Sequence, residues 1–406
     1  MAFFYFGLIS YNYLSPMGWT GNLFWNHNPN YPIIFFLYPI ICDRILYLCD
    51  RINSKLNKMK LTYRQQKIIE ILKNHPNISI SDIRKLLDEN ISTATLNRDL
   101  AKLVESEILE KTGKARAIRY KLSIGVELFT PIDINQYFDR EIDFRDGNKY
   151  FNNEIFSILE NINIFNSNEE NFLLSKQEKF RTNIKEIPPT IYNKELERLI
   201  IDLSWKSSQI EGNTYSLLET EELLTKKIEA SNKTKEEAIM LLNHKDALNY
   251  IVNETEIVNN LKISTIEDIH SILVKGLGVD RNIRTKPVGV TGTTYTPPDN
   301  EFQIIEYLQK MCTTINSRKN GFEKALLTIV LISYIQPFVD GNKRTARIIG
   351  NAFLMSDNNC PLSYRSVNSI DYKKVILVFY EQNNIQPFKE LFIKQYKFAV
   401  DNYFLG

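Results

Sequence analysis

Histidine and cysteine are scarce in this chain: 406 residues hold four of each. Cys42, Cys49, Cys312 and Cys360 form no close CxxC pair, and the histidines are scattered. A structural zinc module is thereby disfavoured, and no disulfide framework is indicated. A reducing, cytoplasmic setting fits that usage. An excess of one charge is also missing. The net charge is +2, so nothing draws the whole molecule to nucleic acid or anionic membrane, and any such binding must be local. What is present is ordinary globular material, 43% hydrophobic and 24% charged, long enough for two or three domains with real cores.

Residues 1–58 differ from the rest, being rich in aromatic and aliphatic residues such as Phe3, Phe4, Phe6, Trp19, Phe24 and Trp25. The apolar run from Ile33 to Cys42 is broken by Pro39 and closed by Asp43-Arg44. It supplies only half of the ~20 residues a spanning helix needs. A basic n-region and a small-residue cleavage site are absent, so a secretory signal is a poor match. Three readings stay open: a membrane-associating arm, an extra packing segment, or an upstream extension of the gene model ahead of Met59. The extension, or a poorly ordered segment, is favoured over membrane contact.

Residues 59–125 read as three helices and a two-stranded wing. Ile68, Ile71 and Leu72 recur at helical spacing in the first helix. Ser81 is expected to cap the second, with Ile83, Leu86 and Leu87 inward, and Ser92 the third, with Leu96, Leu100, Leu103 and Val104 as its stripe. A hairpin then turns at Thr112-Gly113-Lys114. The order resembles a winged helix-turn-helix domain. On double-stranded DNA its third helix would enter the major groove. Thr93, Thr95, Asn97 and Arg98 would then lie near bases or phosphates, and Lys114, Arg116 and Arg119 would meet backbone phosphate. Twelve basic and eight acidic residues in 61–125 give a modest electrostatic footprint. A docking or purely structural role stays open beside it.

Residues 126–190 read as a helical connector, with a helix expected over Tyr150–Leu159 and a boundary at Pro188-Pro189. From Glu195 to the end of the last domain, 191–406, nearly every segment is helical in pattern, apart from a Gly- and Pro-bearing stretch near 287–298.

The most informative string is Pro337-Phe338-Val339-Asp340-Gly341-Asn342-Lys343-Arg344-Thr345-Ala346-Arg347, after a hydrophobic helix over Phe322–Ile335. Proline ends that helix, and Gly341 permits a sharp turn into the next one. The free N–H groups of the new helix face any anion in the turn. Arg344 and Arg347 share one face of it and can clamp neighbouring phosphates. Asp340 at the lip is suited to hold Mg2+ bridging those phosphates.

This string resembles the signature of the Fic family, protein AMP-transferases whose pattern reads H-P-F-x-D/E-G-N-G/K-R-x-x-R. Eight positions match: Pro337, Phe338, Asp340, Gly341, Asn342, Lys343, Arg344 and Arg347. Ser207-Ser208-Gln209-Ile210-Glu211-Gly212 resembles the family's inhibitory-helix pattern, placed around 199–213. The stretch from Pro287 to Pro298 resembles its flap hairpin, where Val288, Val290, Gly292 and Tyr295 would hold a target by strand addition. The resemblance implies a mainly α fold: an all-helical Fic domain with a small β-hairpin flap, behind the winged helix-turn-helix. It also implies ATP as donor, AMP as the transferred group, and a Ser, Thr or Tyr hydroxyl of a target protein as acceptor. By the same implication Asp340 holds magnesium, Gly341, Asn342 and Lys343 cradle phosphate, and Arg344 and Arg347 grip it. Glu211, with Ser207 and Gly212, would occupy Arg347 and restrain the enzyme.

One position departs from the pattern. Gln336 stands where the family has its catalytic histidine. A glutamine amide has no useful basicity near neutrality, so general-base help of ~100- to 10,000-fold would be missing. His270 is expected to be a packed core residue, and His244 to lie on an exposed helix. Two functions follow: a slow or altered Fic-type transferase, or a catalytically silent, nucleotide-binding and DNA-binding transcriptional regulator. A homo-oligomer is compatible with either.

Overall fold

Ser92 accepts a hydrogen bond from the Thr95 N–H and so starts the third N-terminal helix where the apolar stripe begins. The computed structural model describes residues 61–405 apart from 76, 88–90, 107, 114–116, 124, 146 and 161. The readings of 1–58, and those of Lys114 and Arg116, lie outside the described residues.

The N-terminal helices are α1 (Tyr63–Asn74), α2 (Ile80–Leu86) and α3 (Thr93–Glu105). An antiparallel wing follows, β1 (Leu109–Thr112) and β2 (Arg119–Leu122), with Leu109 opposite Leu122. Helix α2 starts earlier than expected. Its cap is Ser79, not Ser81, because Ser79 and Asp82 satisfy each other's backbone N–H groups in a capping box. Leu86 is 44% exposed, so the inward face of α2 is Ile83 and Leu87.

The connector holds α4 (Val126–Phe129), α5 (Ile134–Phe138), a 3-10 turn (Ile142–Phe144), α6 (Ile155–Glu160) and α7 (Ser167–Glu186). The helix read over 150–159 is therefore shorter and later. Among the described residues nine α-helices follow, with a 3-10 turn (Thr255–Val258) between the third and fourth: α8 (Pro189–Ile210), α9 (Leu217–Lys226), α10 (Lys235–Asn253), α11 (Ile263–Leu273), α12 (Glu301–Ser317), α13 (Gly321–Ile335), α14 (Asn342–Ser356), α15 (Ser369–Gln382) and α16 (Gln386–Asn402).

Helix α13 is the axis of this body. Every residue in it but Lys324 is buried, as expected for a helix that is apolar all round. Helix α14 packs along it, so the turn joining them is held by the core. The apolar core runs without a break from Ile68 in α1 to Phe404. Leu128 of the connector accepts from the Ile385 N–H at 2.8 Å, and Lys73 of α1 donates to Gln382 at 3.3 Å, tying the connector and the N-terminal domain to the end of α15.

The wing is the one sheet among the described residues. The expected flap ribbon forms no ladder of its own: residues 287–298 are a loop turning at Thr291-Gly292, with a single bridge between Tyr150 and Thr296. Pro287, Pro297 and Pro298 lack N–H donors, and Gly289 and Gly292 favour turning over extension, which leaves too little regular pairing for strands.

Candidate active site

Helix α13 ends in a left-handed residue, Gln336, at φ 51° and ψ 59°. Its side chain is folded inward. The amide nitrogen donates to the Ser333 carbonyl at 2.6 Å and faces the Tyr380 hydroxyl at 3.3 Å, while its oxygen accepts from Asn342 at 3.0 Å. Asn342 closes the turn: its oxygen accepts from the Phe338 N–H at 2.8 Å and its nitrogen donates to the Phe338 carbonyl at 2.8 Å. Its side chain is thus engaged in bracing the loop, and only its backbone is left for a ligand.

Gly341 has φ +84°, and a Cβ there would press on His270 and Val274 at 3.3 Å. His270 is a packed core residue, stacked on Phe338 with ring centres 3.6 Å apart. It is also a brace, since its Nε2 lies 2.9 Å from the Asp340 carbonyl. Arg284 carried no signal in the sequence, yet it organises the site. Buried to 2% exposure, it donates to the carbonyls of Gln336 (2.7 Å), Lys286 (2.8 Å) and Pro298 (2.5 Å), fastening the turn to both ends of the flap.

Arg344 and Arg347 enter from the first turns of α14, both fully buried. Arg344 donates to Asp340 at 3.1 Å, and its Nε and Nη1 find no hydrogen-bond acceptor. Arg347 is occupied. Its Nε donates to the Ser207 hydroxyl at 2.9 Å, and its Nη2 to the Ser207 carbonyl at 3.0 Å and the Glu211 carboxylate at 2.8 Å. Ser207 does not open a helix. Helix α8 starts eighteen residues earlier, at Pro189, where proline favours a first turn. Ser207 lies in its last turn and Glu211 just beyond it.

A carboxylate at a helix C-terminus opposes the macrodipole, so Glu211 needs cationic partners. It has Arg347 and, at 3.6 Å, Lys343. Burial alone would raise the Glu211 carboxyl, but these cations outweigh it and hold the group below its ordinary value. The carboxylate therefore sits at the N-terminal end of α14, where a bound anion would sit. Gly212 follows with φ +105° and lets the chain leave α8 sharply.

His244 is a correction. It is fully buried, not exposed, because α10 turns that face toward α14. Burial first, then Arg347 and Arg344, push its imidazole well below the ordinary value, so it is neutral.

Beside these parts lies a cleft of about 720 Å³, within the range of small-ligand sites; Arg344 and Arg347 are buried and are not among its lining residues. Glu211, Gln336 and residues 339–343 form one wall, Gly289 to Gly292 the flap side, and α15 contributes Lys373, Lys374 and Leu377. The connector segment from Phe138 to Arg145 closes the cleft, a contribution that sequence reading missed. Val290 and Gly292 thus reach the cleft. Tyr295 is buried beneath the flap, its hydroxyl donating to the Tyr334 carbonyl at 2.7 Å. Val288 is half-buried in the loop and is not among the cleft's lining residues.

Residues 260–354 match the model of the Fic/DOC family, and residues 64–118 that of the DeoR-like helix-turn-helix domain. The chain carries a Fic domain behind a helix-turn-helix. It is similar to the protein adenylyltransferase Fic of Nematostella vectensis, 30% identical over 205 residues, 49% of this chain and 47% of that protein. The Aedes aegypti protein of the same name is 28% identical over 193 residues, 45% of this chain and 38% of that one. The chain thus spans less than half the length of these curated relatives. Among solved structures, a C. elegans Fic-1 fragment superposes with TM-score 0.50 at 21% identity, over 58% of this chain and 72% of the fragment. That likeness bears on the fold of the Fic domain. No described helix is long and apolar enough to cross a membrane.

On the helix-turn-helix, Thr93, Asn97 and Arg98 are exposed on α3 and Thr95 is half-buried beside its cap. Arg119 is exposed at the wing.

Proposed function

We propose that the cleft binds magnesium–ATP and that the Fic domain transfers AMP from it to a Ser, Thr or Tyr hydroxyl of a target protein, restrained by Glu211. One observation carries this reading: a buried arginine beside the N-terminus of α14 is held by the chain's own carboxylate, while its neighbour Arg344 keeps two buried donors without an acceptor. A phosphate chain satisfies both needs.

The residues present fit a magnesium ion held mostly by phosphates. Asp340 is 63% exposed at the lip of the turn, and no described cluster of three His, Cys, Asp or Glu offers an all-protein cage. When bound, the ion neutralises phosphate charge. The protein's own groups do the rest. The N–H groups at the start of α14 and Lys343 bind the phosphates, Arg344 and Arg347 orient them once Glu211 withdraws, and the flap holds the acceptor. The acceptor oxygen bonds to the α-phosphorus, and pyrophosphate leaves with the electrons of the broken P–O bond. The acceptor's proton passes to water or pyrophosphate, because the Gln336 amide does not take it.

A second reading, a silent nucleotide-binding regulator, is favoured by the engagement of the Gln336 side chain with Ser333, Tyr380 and Asn342. Under both readings α3 and the wing dock on duplex DNA. The deciding experiment gives α-labelled ATP and magnesium to Glu211→Gly and to Glu211→Gly/Gln336→His. Label from the first establishes the transferase. Label from the second alone establishes the silent form, and none from either removes the transferase chemistry.

A further inference from the structure

The connector segment 137–149 crosses the cleft as a strap fastened to the end of α15. The Tyr137 hydroxyl donates to the Glu381 carboxylate at 2.5 Å, and the Asn148 N–H donates to the Glu381 carbonyl at 2.5 Å. Gly147 lies so close to α15 that a Cβ would meet that carbonyl at 2.8 Å. The Asn148 and Asn152 side chains both donate to Asn383, at 3.3 and 3.0 Å. Between these fastenings Arg145 turns inward, its side chain 3% exposed. Its Nη2 donates to the Gly292 carbonyl at 2.6 Å, its Nη1 lies 3.4 Å from Glu381, and its guanidinium covers the Phe138 ring at 4.9 Å.

Gly292 is the tip of the flap, a loop with no ladder. Arg284 and Tyr295 hold its base, and Arg145 reaches its far end. A glycine- and proline-bearing loop without ladder bonds opens easily unless its tip is pinned. A charge-assisted bond from a buried guanidinium is a strong pin.

We propose that Arg145 is a positioning residue: it clips the flap to the strap and α15, so that an acceptor segment on the flap meets the nucleotide in a fixed register. The inference rests on the transferase reading for its purpose, and its test does not. The strap lies outside the Fic match at 260–354, so this chain's connector supplies part of the cleft's geometry.

Hydrogen exchange on the full chain reads the clip directly, with Glu211→Gly as parent and Arg145→Ala and Arg145→Lys added to it. Loss of one charge-assisted bond is expected to raise flap amide exchange about tenfold or more in Arg145→Ala. Arg145→Lys keeps the charge without the planar fork and is expected to fall between. Magnesium–ATP binding to the Glu211→Gly parent is read by calorimetry alongside. Flap exchange unchanged in both variants, or raised equally across α13 and α14, overturns the clip. A parent that ignores magnesium–ATP overturns the transferase reading instead, while the flap exchange still decides the clip.

Discussion

Glu211 pairs with two cations of α14, Arg347 and Lys343. Its carboxyl is held below the ordinary 4.5 by Arg347 and Lys343 against the opposing effect of burial. A folded value below the unfolded one means that its contribution to stability is complete above about pH 4.5 and fades as pH falls through the folded value. Urea melts of the native protein and Glu211→Gln are therefore expected to differ by a constant amount near neutrality and to converge as the pH falls from the ordinary carboxylate range through the lowered folded value. Removing the carboxylate leaves Arg347 buried without it, so Glu211→Gly is expected to cost about 3 kcal/mol, the order found when one member of a buried pair is lost. Saturating magnesium–ATP is expected to restore about 2.7 kcal/mol at a hundredfold excess over Kd, read as a rise in Tm. Gln336 makes the complementary case. If its amide is what slows transfer, Gln336→His in the Glu211→Gly background raises label incorporation by ~100-fold or more. An unchanged rate would show that another step limits.

At the scale of elements, the turn between α13 and α14 was legible because its residues are unusual for reasons local to the chain. A proline stop, a glycine at positive φ and two arginines three apart are all sequence-local facts. The helices of the N-terminal domain were legible from apolar spacing, although the cap of α2 lies two residues before the expected one because Asp82 pairs with Ser79. The flap as a ribbon was not legible: its valines alternate, but no partner strand reaches them. Arg284, Arg145 and the burial of His244 were not legible either, since each depends on elements distant in sequence that tertiary packing brings together. Arg284 ties the turn to the flap through three carbonyls, so Arg284→Ala is expected to lower stability by about 2 kcal/mol or more, measured by urea denaturation. On α3, the exposed Arg98 is expected to contact phosphate. Arg98→Ala should weaken duplex binding for all sequences and reduce the salt slope by about one, by titration at several salt concentrations. An unchanged slope would remove Arg98 from the DNA face.

Across the whole molecule, a helix-turn-helix and a Fic domain share one apolar core, and the connector between them walls the cleft. Arg347, buried, is paired with its own chain's carboxylate, and on the proposed function that pairing closes the nucleotide site from within. Titration calorimetry of magnesium–ATP into the native protein and Glu211→Gly tests that most directly. The Glu211→Gly protein is expected to bind at least about tenfold more tightly, the worth of one charge-assisted contact. Equal affinities, or no heat of binding from either protein, would contradict it.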